Sequence, residues 1–102
     1  MDNTVKYLLK ELEDLGAWVY HISKYGSVYI KFEDEKLRSL RVADHPGRKK
    51  YKYKWNLMTK GGIRNGLREE VDRGVNRFYY SPDKCKDLVT HIRSYKRKID
   101  EN

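Results

Sequence analysis

Residues 17–42, AWVYHISKYGSVYIKFEDEKLRSLRV, decide the fold. Apolar and polar side chains alternate here at the two-residue period of a strand, interrupted twice by turn chemistry. Ala17–Ser23 reads as a first strand with Trp18, Tyr20 and Ile22 on one face. Lys24-Tyr25-Gly26 supplies a tight turn, in which Gly26 takes the positive φ that hairpins require. Ser27–Phe32 follows, with Val28, Ile30 and Phe32 toward a core and Ser27, Tyr29 and Lys31 away from it. The acidic tip Glu33-Asp34-Glu35 makes a second turn, and Leu37–Val42 returns with Leu40 and Val42 inward beside Arg38, leaving Ser39 and Arg41 to share the outer face with Tyr29 and Lys31. The pattern predicts a three-stranded antiparallel meander.

Upstream, Val5, Leu8, Leu9, Leu12 and Leu15 recur at helical spacing and predict a helix over 3–15, capped by Asn3 or Thr4 and stopped by Gly16. Downstream, Val75–Tyr80 alternates again, with Val75, Arg77 and Tyr79 opposing Asn76, Phe78 and Tyr80. Ser81-Pro82-Asp83 then opens a helix whose apolar stripe is Cys85, Leu88, Val89, Ile92, Tyr95 and Ile99. Between these, Ile63, Leu67 and Val71 allow a short helix over 63–73. The expected fold is α+β: an N-terminal helix, the meander, further strand(s), and a C-terminal helix packed on the sheet. The 102 residues suffice for one small domain with one core.

Residues 8–50, LLKELEDLGAWVYHISKYGSVYIKFEDEKLRSLRVADHPGRKK, carry a family resemblance. A helix ending in glycine, a strand, Gly26-Ser27 opening the second strand, and His45-Pro46-Gly47 after the third resemble the HicA-type toxins of bacterial toxin–antitoxin pairs. That resemblance implies a double-stranded-RNA-binding-like scaffold. It also places the family's catalytic histidine on position 28, which here is Val28. Ribonuclease activity is therefore not what the resemblance leads one to expect. His21 and His45 do not simply replace the missing group, because a general base must reach the 2′-hydroxyl in a fixed geometry.

Charge points to the class of partner. The chain has 23 Lys and Arg against 15 Asp and Glu, a formal net charge of +8, which favours polyanions. The stretch 46–56, PGRKKYKYKWN, concentrates it: Arg48, Lys49, Lys50, Lys52 and Lys54 without an acidic residue, interleaved with Tyr51, Tyr53 and Trp55. Cations that seek phosphates beside rings that stack on bases are the ingredients of a nucleic-acid groove. A structural alternative is an edge strand whose aromatics enter the core while its lysines guard the edge. Arg41, Lys60 and Arg64 extend the basic set, and Tyr29 is a further stacking candidate. Gly61–Gly66 invites a backbone phosphate contact, yet lacks the Gly-Lys-Ser/Thr ending of a nucleotide loop. The basic cluster of the C-terminal helix, from Lys84 to Lys98, either complements the helix dipole or prolongs the phosphate track.

Other chemistries find less support. His21, His45, His91 and Cys85 lack zinc-site spacing, and the single cysteine allows no internal disulfide. No catalytic constellation and no cofactor are expected. Neither a signal peptide nor a membrane-length apolar run is evident, so a cytoplasmic protein is expected. The leading expectation is a non-enzymatic DNA- or RNA-binding protein. A phage or mobile-element inhibitor that grips an acidic surface of a host protein is the alternative, and a HicA-like mRNA interferase with a displaced histidine the third.

Overall fold

The computed structural model describes residues 3–43, 52–57 and 76–101. Helix α1 (Asn3–Glu11) leads into strands β1 (Trp18–Ile22), β2 (Val28–Lys31), β3 (Ser39–Val42), β4 (Tyr53–Leu57) and β5 (Asn76–Tyr80), and helix α2 (Cys85–Glu101) follows. The strands form one antiparallel sheet in the order β1-β2-β3-β4-β5, each pairing with its neighbour in the chain. This is the expected α+β architecture, with the meander extended by two strands.

The register sorts the strand residues into cross-strand rows. Val19, Ile30, Leu40, Trp55 and Phe78 make one inner row, and Ile22, Val28, Val42, Tyr53 and Tyr80 the other. Val5, Leu8 and Leu12 of the N-terminal segment and Leu88, Val89 and Ile92 of α2 cover that face, closing one apolar cluster with the buried strand residues. Both helices thus contribute to the core on a single side of the sheet.

Several boundaries differ from expectation, each for a physical reason. The helix predicted over 3–15 is α-helical only to Glu11; Glu13–Leu15 tighten into a 3-10 turn that aims the chain into β1. Gly16 ends it at φ 71°, its N–H donating to Glu13 O at 2.9 Å. Its missing side chain matters twice, because a Cβ there would lie 2.8 Å from Glu33 Cβ. At the first hairpin Gly26 takes φ 95° as expected, while Ser27, expected to face outward, is buried with its N–H on Ser23 Oγ.

The third strand starts at Ser39 rather than Leu37. Leu37 ends a 3-10 turn (Glu35–Leu37) as a fully buried plug, and its carbonyl accepts from Trp55 Nε1 at 2.8 Å. Arg38, expected inward beside Leu40 and Val42, is instead the half-buried exit of that turn, at φ 58° and ψ −129°, the only positive φ on a non-glycine among the described residues. Such a conformation costs of order 1–3 kcal/mol for a residue with a side chain. At the C-terminal helix, Ser81 has the extended N-cap backbone, yet its hydroxyl donates to Asp83 Oδ1 at 2.6 Å instead of being held by the helix N–H groups. A 3-10 turn, Pro82–Lys84, therefore precedes α2.

Candidate functional site

The sheet face away from the helices is where the chemistry collects. Its first row is Trp18, Lys31, Ser39, Asn56 and Arg77; its second is His21, Tyr29, Arg41, Lys54 and Tyr79. None of the five strands contains an Asp or Glu. The carboxylates of the described residues lie instead on the helices, their 3-10 turns and the 33–35 tip. The strands themselves thus carry cations and no carboxylate, and the carboxylates that come nearest the open face are Glu33 and Glu35 of the tip.

A bulge in β1 enriches this face further. The register shifts between Val19 and His21, so that Tyr20 and His21 together oppose Tyr29. Two successive side chains on one side are the usual result of such an insertion. Tyr20 and Tyr29 meet edge to face with centroids 6.2 Å apart, and His21 lies 5.4 Å from the Tyr29 ring. Lys31 Nζ sits 4.5 Å from the Tyr20 ring centre, a cation over an aromatic face. The expectation that Trp18, Tyr20 and Ile22 share one face is thereby corrected: Trp18 and Tyr20 belong to the open face, whereas Ile22 aligns with Val28 on the helix side, where at 55% exposed it lies beyond the core. Trp18, Tyr20 and Tyr79 remain 48%, 41% and 48% exposed, so their rings are presented to solvent.

The sequence-predicted residues divide cleanly. Arg41, Lys54 and Tyr29 lie together in the second open-face row, and Lys52 adjoins them, its carbonyl accepting from Ala43 N–H at 2.8 Å. Tyr53 and Trp55, expected to stack on bases if they pointed outward, point the other way. They are 1% and 0% exposed, because the two-residue period that puts Lys54 outside puts them among the core residues. Arg48, Lys49, Lys50, Tyr51, Lys60 and Arg64 lie outside the described residues, as do His45, the Gly61–Gly66 stretch and the 63–73 helix.

The basic helix is not a free phosphate track along its length. Arg93 grips Asp14 with two bonds (3.0 and 2.7 Å) and also donates to the Glu11 carbonyl, stapling α2 to the end of α1. That guanidinium holds the Asp14 carboxyl below the usual range. Lys96 binds Asp34 at 3.1 Å and Asp100 at 2.9 Å, anchoring the 33–35 tip to the helix. Asp34 is lowered first by the Lys36 backbone N–H and then by Lys96.

Periodicity gave no sign of two features. One is an aromatic cluster under the sheet: His91 meets Trp55 and Phe78 edge to face, at 4.9 and 4.4 Å, and the Tyr80 hydroxyl lies 2.6 Å from its Nδ1. Burial, with Lys98 contributing, lowers the His91 pKa and so favours the neutral ring, whose tautomer sets which of Nδ1 and the Tyr80 hydroxyl donates. Burial likewise raises the Cys85 thiol, which keeps it a packing group. The second is a groove of about 730 Å³ at the Trp18 end of the open face, between the first row and the 33–38 turn. Trp18, Lys31, Glu33, Glu35, Arg38 and Asn56 are among the residues that line it. Among the described residues no donor reaches the buried Asn56 Oδ1.

Among the described residues no group of three or more His, Cys, Asp or Glu is placed to hold a metal ion, and no helix is long and apolar enough to cross a membrane. Val28, at the position where the HicA resemblance would put a catalytic histidine, is 5% exposed in the inner row. No family model, curated protein or solved structure matches the chain.

Proposed function

We propose that this protein binds single-stranded nucleic acid across the open face of its sheet. The observation that carries the reading is the composition of that face: Lys31, Arg41, Lys54 and Arg77 among Trp18, Tyr20, Tyr29 and Tyr79, with no carboxylate on any strand. Cations at strand spacing follow a phosphate backbone, and partly exposed rings between them offer stacking surfaces that any base can use. A broad sheet face suits splayed bases, which a duplex keeps stacked inside itself. Aromatic contacts supply affinity that salt does not remove, and the cations supply the part that it does.

The test is fluorescence anisotropy with a labelled single-stranded nonamer and a duplex of the same length, across a salt series. Binding to the single strand is expected to be tighter. Its logarithmic salt dependence is expected to have a slope of about −3, from about 0.7 per phosphate neutralised over four cations. Neutralising Lys31 and Lys54 together (Lys31→Gln, Lys54→Gln) should flatten that slope by about 1.4. Lack of binding at low salt, an unchanged slope in the double variant, or preference for the duplex would each overturn the reading. Capture of a nuclease-resistant protein partner by a chain that binds no oligonucleotide would favour the inhibitor reading instead.

A further inference from the structure

We propose that the groove at the Trp18 end of the open face is the seat of one unpaired guanine. The inference rests on the single-strand reading and adds a base preference to it.

The groove is about 730 Å³, within the range of about 300–1,000 Å³ typical of sites for small ligands, and ample for one base. One wall is Trp18, an indole 48% exposed at the edge of the sheet and paired in register with Lys31. The 33–38 turn brings Glu33, Glu35 and Arg38 to the same opening, with the Glu33 carboxylate lying back against Gly16. This turn is held in place from below: Leu37 is its buried plug, Trp55 Nε1 holds the Leu37 carbonyl, and Lys96 holds Asp34. Arg38 keeps its left-handed backbone at the rim of this groove. Strain held on a residue that lines a cavity is a reason to look for a ligand there.

The hydrogen-bonding groups select among bases. A carboxylate only accepts, with two oxygens side by side, and therefore matches an edge that offers two adjacent N–H donors. Guanine offers that edge in N1–H and the 2-amino group. Adenine and cytosine place an acceptor beside their amino group, and thymine has a single N–H between carbonyls. Guanine O6 and N7 are in turn the acceptors that Arg and Lys side chains read best, and Arg38 and Lys31 are the cations of the groove. The carboxamide of Asn56, whose Oδ1 no donor among the described residues reaches, lies on the same lining as a further polar group. Trp18 then covers the ring face.

The test compares three labelled nonamers: all thymidine, one central guanosine, and one central inosine, which lacks the 2-amino group. The guanosine strand is expected to bind about tenfold tighter than the thymidine strand, the order expected of one well-made bidentate base contact. Inosine should forfeit most of that gain. Glu35→Gln, on an exposed turn residue, should abolish the preference while leaving thymidine binding within about twofold, since a carboxamide presents one acceptor and one donor. Trp18 emission should be quenched more by the guanosine strand, with buried Trp55 as the constant background. Equal binding of all three strands would overturn the guanine seat and leave the single-strand reading standing. A preference that survives Glu35→Gln, or inosine equal to guanosine, would overturn it as well. If none of the strands bound at low salt, both readings would fall together.

Discussion

Replacing Trp55 by Phe tests how the core positions the functional face. The indole is fully buried; it donates to the Leu37 carbonyl at 2.8 Å and touches Phe78, His91 and Tyr95 edge to face or tilted. A phenyl ring leaves the Leu37 carbonyl without that donor, which costs about 1–3 kcal/mol for a buried polar group. The smaller ring also leaves a void, adding about 1 kcal/mol at ~24 cal/mol per Å³. Together the loss is about 2–4 kcal/mol, out of the 5–15 kcal/mol or so that a domain typically has. At about 4–8 °C per kcal/mol, the midpoint of thermal unfolding should drop by roughly 8–32 °C. Equilibrium urea unfolding followed by circular dichroism measures the free energy. Hydrogen exchange of the indole N–H in wild type reports the bond directly and should be slow. Trp18→Phe is the control, because Trp18 is half exposed on the open face and its loss should stay within about 0.5 kcal/mol. A Trp55→Phe loss below about 1 kcal/mol, or a rapidly exchanging indole N–H, would refute the claim that this bond holds the 35–38 turn.

Three further outcomes follow from the same geometry. His91 has a folded-state pKa lowered from 6.5 by burial, so the unfolded chain takes up its proton more readily. The stability this contributes is complete above that ordinary value and is lost as pH falls through the lowered one; urea midpoints between about pH 7.5 and 5.5, with an NMR titration of the ring, check the sign. Gly16→Ala should cost more than about 1 kcal/mol in urea unfolding, since a side chain there meets both an unfavourable φ and Glu33 Cβ at 2.8 Å. Arg38→Gly should raise stability by up to about 1 kcal/mol through relief of the positive φ while weakening oligonucleotide binding; loss of stability in urea unfolding would show that the contacts of the Arg38 side chain outweigh the strain.

What the sequence revealed depended on how local each cause is. Residues 28–32 and 39–42 alternate without interruption, and their inward set, Val28, Ile30, Phe32, Leu40 and Val42, is the buried one. Gly16 and Gly26 adopt the positive φ that their places in the pattern imply. The stripe of α2 was equally legible, since Leu88, Val89 and Ile92 are its buried residues. The bulge at Tyr20 was hidden because 17–23 alternates acceptably in either register; only pairing with β2 shows where one residue is inserted. Arg93 and Lys96 read as members of a basic helix face because their carboxylate partners, Asp14 and Asp34, lie 79 and 62 residues away. For the same reason His91 carried no sign of the aromatic rings around it, which arrive from β4 and β5. In the basic stretch at 46–56, the two-residue period correctly separates lysines from aromatics, but it does not say which set faces the core; the helices decide that, by covering the Tyr53 and Trp55 side. The groove depends on a turn whose backbone, at Arg38, takes a conformation that no residue type there would suggest.

The unbroken strand order has a kinetic consequence. Each strand can zip onto the one made before it, so the sheet grows from contacts between chain neighbours and can form early. The staple from Arg93 to Asp14 and the Glu11 carbonyl is different: it closes a loop of about eighty residues and can be made only after α2 exists. Until then the stripe of Val5, Leu8 and Leu12 lacks the part of its cover that α2 supplies. Substitutions in the β2–β3 pairing should therefore slow folding, while those at Arg93 or Asp14 should mainly hasten unfolding. The helices would act as the latch that sets how long the finished sheet persists.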